Sequence, residues 1–417
     1  MRFKSTNQRN KNIGTFALKF YNNIMRKIIF LCLLFLTSCA STMQSHLNNV
    51  QKNFSNGNFE TTSTESANEQ NNLDLLINGT ALFHDNKFEQ SDSLFEEFNK
   101  RNLHETSSSV SREAAGLLLG GGVNSYKPYM MDSLFVSYYQ IWDLLALQDW
   151  KNVRVVINQS YERQKNMSNE YKKLIEENKN KTSKNSQYQE IIDKNTGDWL
   201  AFSDIMNPAL MYLSGIYFLN DGDFDNAITY LKRANGMMPE NTFIKKDLEY
   251  AQQRIKPNGT TWQFIESGFA PRLKEKQDGI FLPNIGMIYF TFSTPYFDSD
   301  TTTLNDSQML ANVDAMFITE YQEYRTNEIL RSFTSAASKA TLQATMYNSH
   351  SNSAPILGIL SSVYTVASSN TDVRTWATLP KYIYVSRKTE SNDKKNNLIY
   401  TRIINDKITD NKTIELK

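Results

Sequence analysis

Two cysteines are the most reactive side chains in the sequence, Cys32 and Cys39. A thiolate is a strong nucleophile that a lipid donor can alkylate. Leu36, Thr37 and Ser38 come directly before Cys39, so the second thiol follows small and apolar residues. If the chain is cut before Cys39, no other thiol remains, and neither a disulfide nor a cysteine-ligated metal site is expected.

The residues before Cys39 have the layout of a secretion signal. Two basic residues precede an apolar run from Ile28 to Leu36, about half of the roughly 20 residues that a membrane-spanning helix needs. This order, ending in Leu-Thr-Ser-Cys, resembles the lipobox of bacterial lipoproteins. The resemblance implies that residues 1–38 are a signal peptide and that Cys39 carries a diacylglycerol as the first residue after cleavage. The signal is complete from Met25, so residues 1–24 are either an extended n-region or lie before the true start of translation, and we favour a start at Met25.

The residues after Cys39 indicate in which membrane the lipid anchor would lie. Ala40 and Ser41 stand where the inner-membrane retention signal of this family would usually have Asp. The resemblance therefore implies a lipid anchor in the outer membrane, with the protein facing the periplasm. The alternative is a buried apolar helix that happens to end in a cysteine.

The net charge of the chain after residue 38 argues against nucleic acid as a partner. The chain has 45 Lys and Arg against 44 Asp and Glu, and seven of the basic residues but no acidic one lie within residues 1–38. Removing those seven leaves 38 basic and 44 acidic residues, a net charge of −6. A protein of that sign lacks the basic surface that nucleic acids require, so no nucleic-acid partner is expected.

No arrangement of residues indicates catalysis. The four histidines, His46, His84, His104 and His350, stand apart, and none begins a His-Glu-x-x-His motif. We predict that they are exposed structural residues and that the protein holds no metal or other cofactor. A Gly-x-Ser-x-Gly elbow is also missing, and turns or exposed faces account for the paired carboxylates.

Helical hairpins are predicted between residues 71 and 256. The stretch from Met211 to Pro239 resembles a tetratricopeptide repeat (TPR), in which small residues let two antiparallel helices approach closely. The residues that carry this pattern are Gly215, Phe218, Phe224, Ala227, Ala234 and Pro239. Weaker copies occur at 75–98 and 138–160, the latter with Ile141 in place of the glycine. About three repeats are the minimum for a stable stack.

The flanking regions differ from the hairpins. Residues 39–70 are rich in polar side chains and are predicted to form a flexible, lipidated tether. Residues 257–417 contain aromatic and β-branched runs typical of strands, a helix predicted from Leu310 to about Tyr347, a second short helix at 356–366, and a closing pair of strands. The predicted fold is mainly α, an interrupted TPR-like helical-hairpin array followed by a smaller α+β domain.

Two segments extend the resemblance to nearly the whole chain after Cys39. Ser267-Gly268-Phe269-Ala270-Pro271, and the Arg-x-Trp-x-x-Leu-Pro pattern within residues 372–380, look like those of a family of uncharacterised bacterial TPR lipoproteins. The resemblance implies the architecture and the location, and no activity. Arg374 and Trp376 have two interpretations: interface anchors, or an arginine stem packed on an indole.

These observations favour a non-enzymatic scaffold. We expect an outer-membrane lipoprotein that holds a periplasmic or outer-membrane protein partner along the concave face of its hairpins, as an accessory factor of an envelope complex. One alternative is an enzyme directed at peptidoglycan, with carboxylates of raised pKa converging in a deep pocket of residues 257–417. Another is a structural spacer without a ligand.

Overall fold

A computed structural model of the protein describes residues 39–66, 71–105, 126–182, 207–282, 286–299, 302, 304–348, 371–390 and 395–416. The predicted signal peptide with Leu36, Thr37 and Ser38, the predicted helix at 356–366, and His350 lie outside these residues. The described chain is mainly helical, with an α+β region at its C-terminal end.

Helices in the first part of the chain follow one another in antiparallel pairs. The pairs within the described residues are α1 (Cys39–Ser55) with α2 (Phe59–Ser66), α3 (Asn72–His84) with α4 (Phe88–Glu105), α5 (Met130–Ala146) with α6 (Trp150–Thr182), and α7 (Pro208–Asp221) with α8 (Phe224–Met237). A further helix, α9 (Thr242–Gln252), packs on α8.

The same turn joins the two helices of each pair. A residue with positive φ lies two positions before the aromatic residue that begins the second helix: Gly57, Asn86, Gln148 and Gly222, with φ of 73°, 60°, 60° and 83°. The N–H that follows donates to the carbonyl five residues back, for example Asp223 to Phe218 at 3.0 Å and Lys87 to Leu82 at 2.9 Å. This Schellman geometry ends the first helix and sets the angle of the second.

The first pair corrects the predicted tether. Residues 39–66 are helical rather than flexible, and Leu47, Val50 and Phe54 on α1 are fully buried. Gln51 Nε2 also donates to the Ala377 carbonyl at 3.0 Å. Three apolar residues suffice here because the rest of the protein supplies the surface that covers them.

A mixed sheet follows the helices. Its strands are β1 (Thr260–Ser267), β4 (Gln308–Asn312), β5 (Tyr382–Thr389), β6 (Asn397–Ile404) and β7 (Lys407–Glu415), in the order β4-β5-β1-β6-β7 among the described strands. β1 is antiparallel to β5 and parallel to β6. The predicted closing pair, β5 and β6, are therefore not neighbours. β1 separates them because Trp262 and Phe264 are buried and favour a central strand.

A second, two-stranded sheet stands apart in the described chain. It pairs β2 (Arg272–Leu282) with β3 (Gly286–Tyr296), and α10 (Val313–Asn348) packs on one of its faces. Phe290 contacts Phe333 there, with ring centroids 5.9 Å apart. The helix predicted from Leu310 begins at Val313 instead, because residues 308–312 pair with β5.

One continuous core joins the helices to the mixed sheet. Trp142 of α5 contacts Phe264 of β1 and Tyr400 of β6, at centroid distances of 5.5 and 5.4 Å. Helix α9 ends at Gln252 and β1 begins at Thr260, near the predicted boundary at 256/257. The regions on either side of this boundary nevertheless bury their apolar side chains against each other.

Candidate functional site

The face of the hairpins that was expected to bind a partner contacts the mixed sheet. Rings of the first helices meet rings of the sheet region: Phe83 with Tyr400 at 4.9 Å, and Tyr212 with Phe264 at 5.8 Å. These helices, α3, α5 and α7, are buried along almost their whole lengths. The concave face that TPR arrays use for peptides is thus filled by the chain itself. The expectation of a partner on that face is wrong for this conformation.

The TPR-pattern residues of the fourth pair lie at the contact between α7 and α8. A Cβ on Gly215 would stand 2.6 Å from Leu231 Cγ, so the helices approach too closely for any side chain there. Phe218 stacks on Tyr230 at 5.4 Å. The remaining positions are Ala227 and Ala234, which are fully buried, Phe224, which is partly buried, and Pro239, which is exposed in the turn after α8.

In each of the other pairs, one residue is equivalent to Gly215, because it lies nine residues before the first residue of the second helix. Gly79 lies against Phe95, whose Cε1 would be 2.7 Å from an added Cβ. Ile141 and Val50 occupy the position in the other two described pairs and are fully buried. Glycine at this position therefore lets a side chain of the second helix pack directly against the first helix in the second and fourth pairs.

The two segments that carry the family resemblance lie side by side. The Ala270 N–H donates to the Leu379 carbonyl at 2.9 Å. Arg402 Nη2 donates to the Gly268 carbonyl at 2.7 Å and to the Thr378 carbonyl at 3.3 Å. One guanidinium therefore holds both segments against the end of β1.

Arg402 also forms a buried ion pair. Its Nη1 lies 2.9 Å from Glu266 Oε2, and both side chains are fully buried. Tyr139 of α5 donates to the same carboxylate oxygen at 3.0 Å. Burial raises the pKa of Glu266, and the guanidinium opposes the rise. The pair joins β1, β6 and a hairpin helix within a low-dielectric interior.

A second buried carboxylate ties the last helices to the sheet. Asp247 of α9 accepts hydrogen bonds from Tyr212 Oη and Trp262 Nε1, both at 2.6 Å, and from Arg387 Nε at 2.8 Å. Burial raises the pKa of Asp247, and Arg387 again opposes the rise. Each of these donors comes from a different helix or strand, so the contact fixes α7 and α9 against β1 and β5.

His84 is buried, which corrects its prediction as an exposed residue. Its side chain is enclosed by rings, with Phe59 stacked at 5.1 Å. Nδ1 lies 2.9 Å from Asp410 Oδ2, and Nε2 lies 3.4 Å from Tyr400 Oη. Lys412 Nζ donates to the same Asp410 oxygen at 2.5 Å. Burial lowers the pKa of His84 to about 4, so the ring is neutral at pH 7.

Two further carboxyl groups cap the start of α5. Glu320 of α10 accepts the N–H groups of Met130 and Met131, the latter at 2.9 Å. Asp132 accepts from Tyr126 Oη at 2.7 Å and from the Tyr129 N–H at 2.9 Å. Burial raises the pKa of Glu320 to about 8 and that of Asp132 to about 7. Both are positioned to satisfy the free N–H groups of a helix terminus.

Arg374 and Trp376 have separate partners. Arg374 forms a two-pronged pair with Asp372, Nε to Oδ1 at 2.8 Å and Nη2 to Oδ2 at 2.6 Å. Trp376 is 3% exposed and donates from Nε1 to Thr80 Oγ1 at 2.9 Å. Trp376 therefore joins its segment to α3 instead of facing a partner.

Sequence reasoning missed the charged residues of this junction. Glu266 follows Phe264 and Ile265, and Arg402 precedes Ile403 and Ile404. A charged residue inside an apolar strand is the signal that could have marked them, because a strand buried on both faces accepts a charge only with a partner. The partner's identity could not be read from the same signal.

The described residues contain neither a candidate metal site nor a candidate membrane span. There, no group of three or more His, Cys, Asp or Glu side chains lies close enough to hold a metal ion. No helix in this part of the chain is long and apolar enough to cross a bilayer.

Comparison with known proteins gives a likeness to a solved structure. No protein-family model and no curated protein matches the chain. A solved structure of a TPR repeats protein from Bacteroides fragilis is similar, with 12% identity, coverage of 51% of this chain and 98% of that one, and a TM-score of 0.20. The description of the fold as TPR-like rests on the repeated turns and helix pairs of this chain.

Proposed function

We propose that the protein is an outer-membrane lipoprotein, anchored through Cys39 and facing the periplasm, that serves as a protein-interaction scaffold of an envelope complex. The observation that carries the scaffold role is the series of TPR-like helix pairs, an architecture that presents extended binding surfaces. The lipobox pattern from Leu36 to Cys39 supports the anchor. The proposal includes membership of the family of TPR lipoproteins that the sequence resembles.

The second helices of the pairs offer the surface for a partner. The concave side is occupied by the sheet, whereas α4, α6 and α8 each keep an exposed side. On α6, Val155 is an apolar residue with 42% of its surface exposed. It lies next to Arg154, whose guanidinium pairs with Asp221 at the start of the neighbouring turn. We assign partner binding to this outer side.

The anchor would hold the folded body close to the bilayer. Helix α1 begins at Cys39, and its first fully buried residue is Leu47. Eight residues of helix span about 12 Å. A lipid on Cys39 would therefore hold the hairpins next to the headgroups, whereas a long flexible tether would let them move away from the bilayer.

Site-specific photo-cross-linking in intact cells tests the partner surface. A photoreactive residue at Val155 should give an adduct of one discrete mass, and one at Ile255 should not. Ile255 is the matched control because it is an apolar residue of similar exposure, 49%, in the turn after α9. If exposed positions on α4, α6 and α8 all fail to give an adduct, the scaffold proposal is wrong.

Cys39→Ser tests the anchor independently. A serine hydroxyl is a far weaker nucleophile than a thiolate, so labelled palmitate should not be incorporated. The protein should also leave the outer-membrane fraction. A serine variant that still takes up palmitate and stays in that fraction would contradict the lipoprotein assignment.

A further inference from the structure

The hairpin formed by β2 and β3 carries an uncharged cluster of exposed side chains, Phe281, Met287 and Tyr289, near the end where Leu282 pairs with Gly286; this cluster is called the tip. No Asp, Glu, Lys or Arg occurs from Gly279 to Phe297. Phe281, Met287 and Tyr289 are 64%, 51% and 56% exposed, which is unusual for such large apolar side chains. They form a cluster because Phe281 pairs with Met287 across the strands, and Gly279 pairs with Tyr289.

The exposed cluster lies on the face of the hairpin that α10 does not cover. Ile288 and Phe290 alternate with Met287 and Tyr289 along β3, and they pack in the cluster that α10 covers. Successive residues of a strand point to opposite faces. The apolar side chains on the other face therefore gain nothing from the protein's own core.

Contacts between α1 and the hairpin join the hairpin to the helix that begins at Cys39. Phe54 near the end of α1 contacts Phe269, just before β2, with ring centroids 6.1 Å apart. Asn48 accepts a hydrogen bond from Arg272, and Gln44 Nε2 lies 3.4 Å from Tyr296 Oη, on the strand partner of Arg272. The base of the hairpin, where Arg272 pairs with Tyr296, is therefore held by the first half of α1.

We propose that this tip docks into the surface of the lipid bilayer that carries the Cys39 anchor. The inference rests on the proposed lipoprotein function for the identity of the membrane. From Arg272 to Phe281 the strand extends about 30 Å, and from Gln44 to Cys39 the helix extends about 8 Å. The hairpin is therefore longer than the distance along α1 from its base to the anchor.

Depth of insertion is limited by the backbone. In the described chain, the outer edges of β2 and β3 have no strand beside them, so strand pairing would not satisfy their outward N–H and C=O groups in hydrocarbon. The tip accordingly stops at the headgroup level. The ring of Tyr289, apolar with a polar end, suits that depth.

Depth-dependent fluorescence quenching tests the proposal on the full chain. The protein, purified from membranes, is reconstituted in phosphatidylcholine–phosphatidylglycerol vesicles, with Met287→Trp at the tip. Its emission, after subtraction of the wild-type signal, should shift to the blue. Lipids brominated near the headgroup should quench it more than lipids brominated near the chain end.

The matched control is Ile408→Trp, in another β-hairpin, where the native side chain is 67% exposed. The fluorescence of a tryptophan at this position should not be quenched by either brominated lipid. Adding Phe281→Asp to Met287→Trp should lower the docked-to-free ratio of the tip at least about tenfold, because burying a large apolar side chain contributes about 1.5–3 kcal/mol and about 1.4 kcal/mol is a factor of ten. Phe281 is exposed, so the melting temperature should stay unchanged; Tyr289→Ser provides a second variant if it does not.

The outcomes separate the tip from the anchor. If the protein carries palmitate and floats with vesicles, but the tip tryptophan is not quenched, the docking proposal is wrong and the anchor stands. If it lacks palmitate and floats only with Phe281 intact, docking is supported and the anchor is wrong. A wild-type dimer in detergent that Phe281→Asp converts to a monomer, without quenching in vesicles, would assign the tip to a second copy and overturn the proposal.

Discussion

Gly215 on α7 offers a direct test of the close helix contact in the fourth pair. A Cβ at this position would lie 2.6 Å from both Cγ and Cδ2 of Leu231, whereas one at Gly236 on α8 would have nothing within 4 Å. Leu231 is fully buried, so its Cγ cannot withdraw without displacing close-packed neighbours. Gly236 is therefore a matched control in the partner helix.

The two substitutions should change the free energy of unfolding in opposite directions. Replacing glycine by alanine within a helix stabilises by about 0.5–1 kcal/mol through the backbone entropy of the unfolded chain. Overpacking a buried contact costs about 1–3 kcal/mol. We expect Gly236→Ala to stabilise the protein by a few tenths of a kcal/mol, since it lies near a helix end, and Gly215→Ala to destabilise it by about 1 kcal/mol.

Urea unfolding of the full chain, followed by circular dichroism, measures both changes. Leu231→Ala supplies the decisive background, because it removes the atoms that the new methyl group would meet. On that background Gly215→Ala should become stabilising, by about 1 kcal/mol, as it fills part of the cavity. If Gly215→Ala alone stabilises as much as Gly236→Ala, the two helices are not in tight contact and the reasoning fails.

Other predictions concern the buried polar contacts. Glu266→Gln leaves the fully buried Arg402 guanidinium without a charged partner, and should cost about 3–5 kcal/mol, seen as a lower urea midpoint; an unchanged midpoint would contradict the pair's role. The pKa of His84 falls from 6.5 to about 4 on folding, so as the pH drops through that window the unfolded chain is protonated first. The free energy of unfolding should fall by about 3 kcal/mol more in the wild type than in His84→Gln, and parallel curves of unfolding free energy against pH would refute this. Trp376→Phe removes the bond to Thr80 and should cost about 1 kcal/mol in the same assay; no loss would show that the bond contributes nothing.

Local spacing predicted the helix pairs, because the turn and the close contact are both set within about 25 residues. A step of nine residues separates Gly215 from Phe224, and the same step separates Val50 from Phe59. The first pair was missed since its polar composition outweighed that step and the Gly57 turn. Hydrophobic content alone does not predict whether a segment is helical when a neighbouring core provides most of the surface that the helix buries.

Contacts between distant parts of the chain could not be predicted. The sequence separates Trp376 from Thr80 by 296 residues and Arg402 from Glu266 by 136, although each pair shares a hydrogen bond. β2 was missed for a related reason. Its charged side chains mask the alternation of faces, and only its pairing with the apolar β3 makes it a strand.

The position of the sheet decides which surface of the hairpins can serve a partner. A peptide entering the concave side would have to separate Tyr139 from Glu266 and Asp247 from Arg387, and would expose the Trp142 contacts with β1 and β6. Disrupting buried networks of this kind costs about 3–5 kcal/mol each. Two of them together approach the roughly 8 kcal/mol of a micromolar complex, so a competing partner would retain little affinity. A partner on the outer sides of α4, α6 and α8 meets no such cost, and the sheet then acts as the fixed support that holds those helices in place.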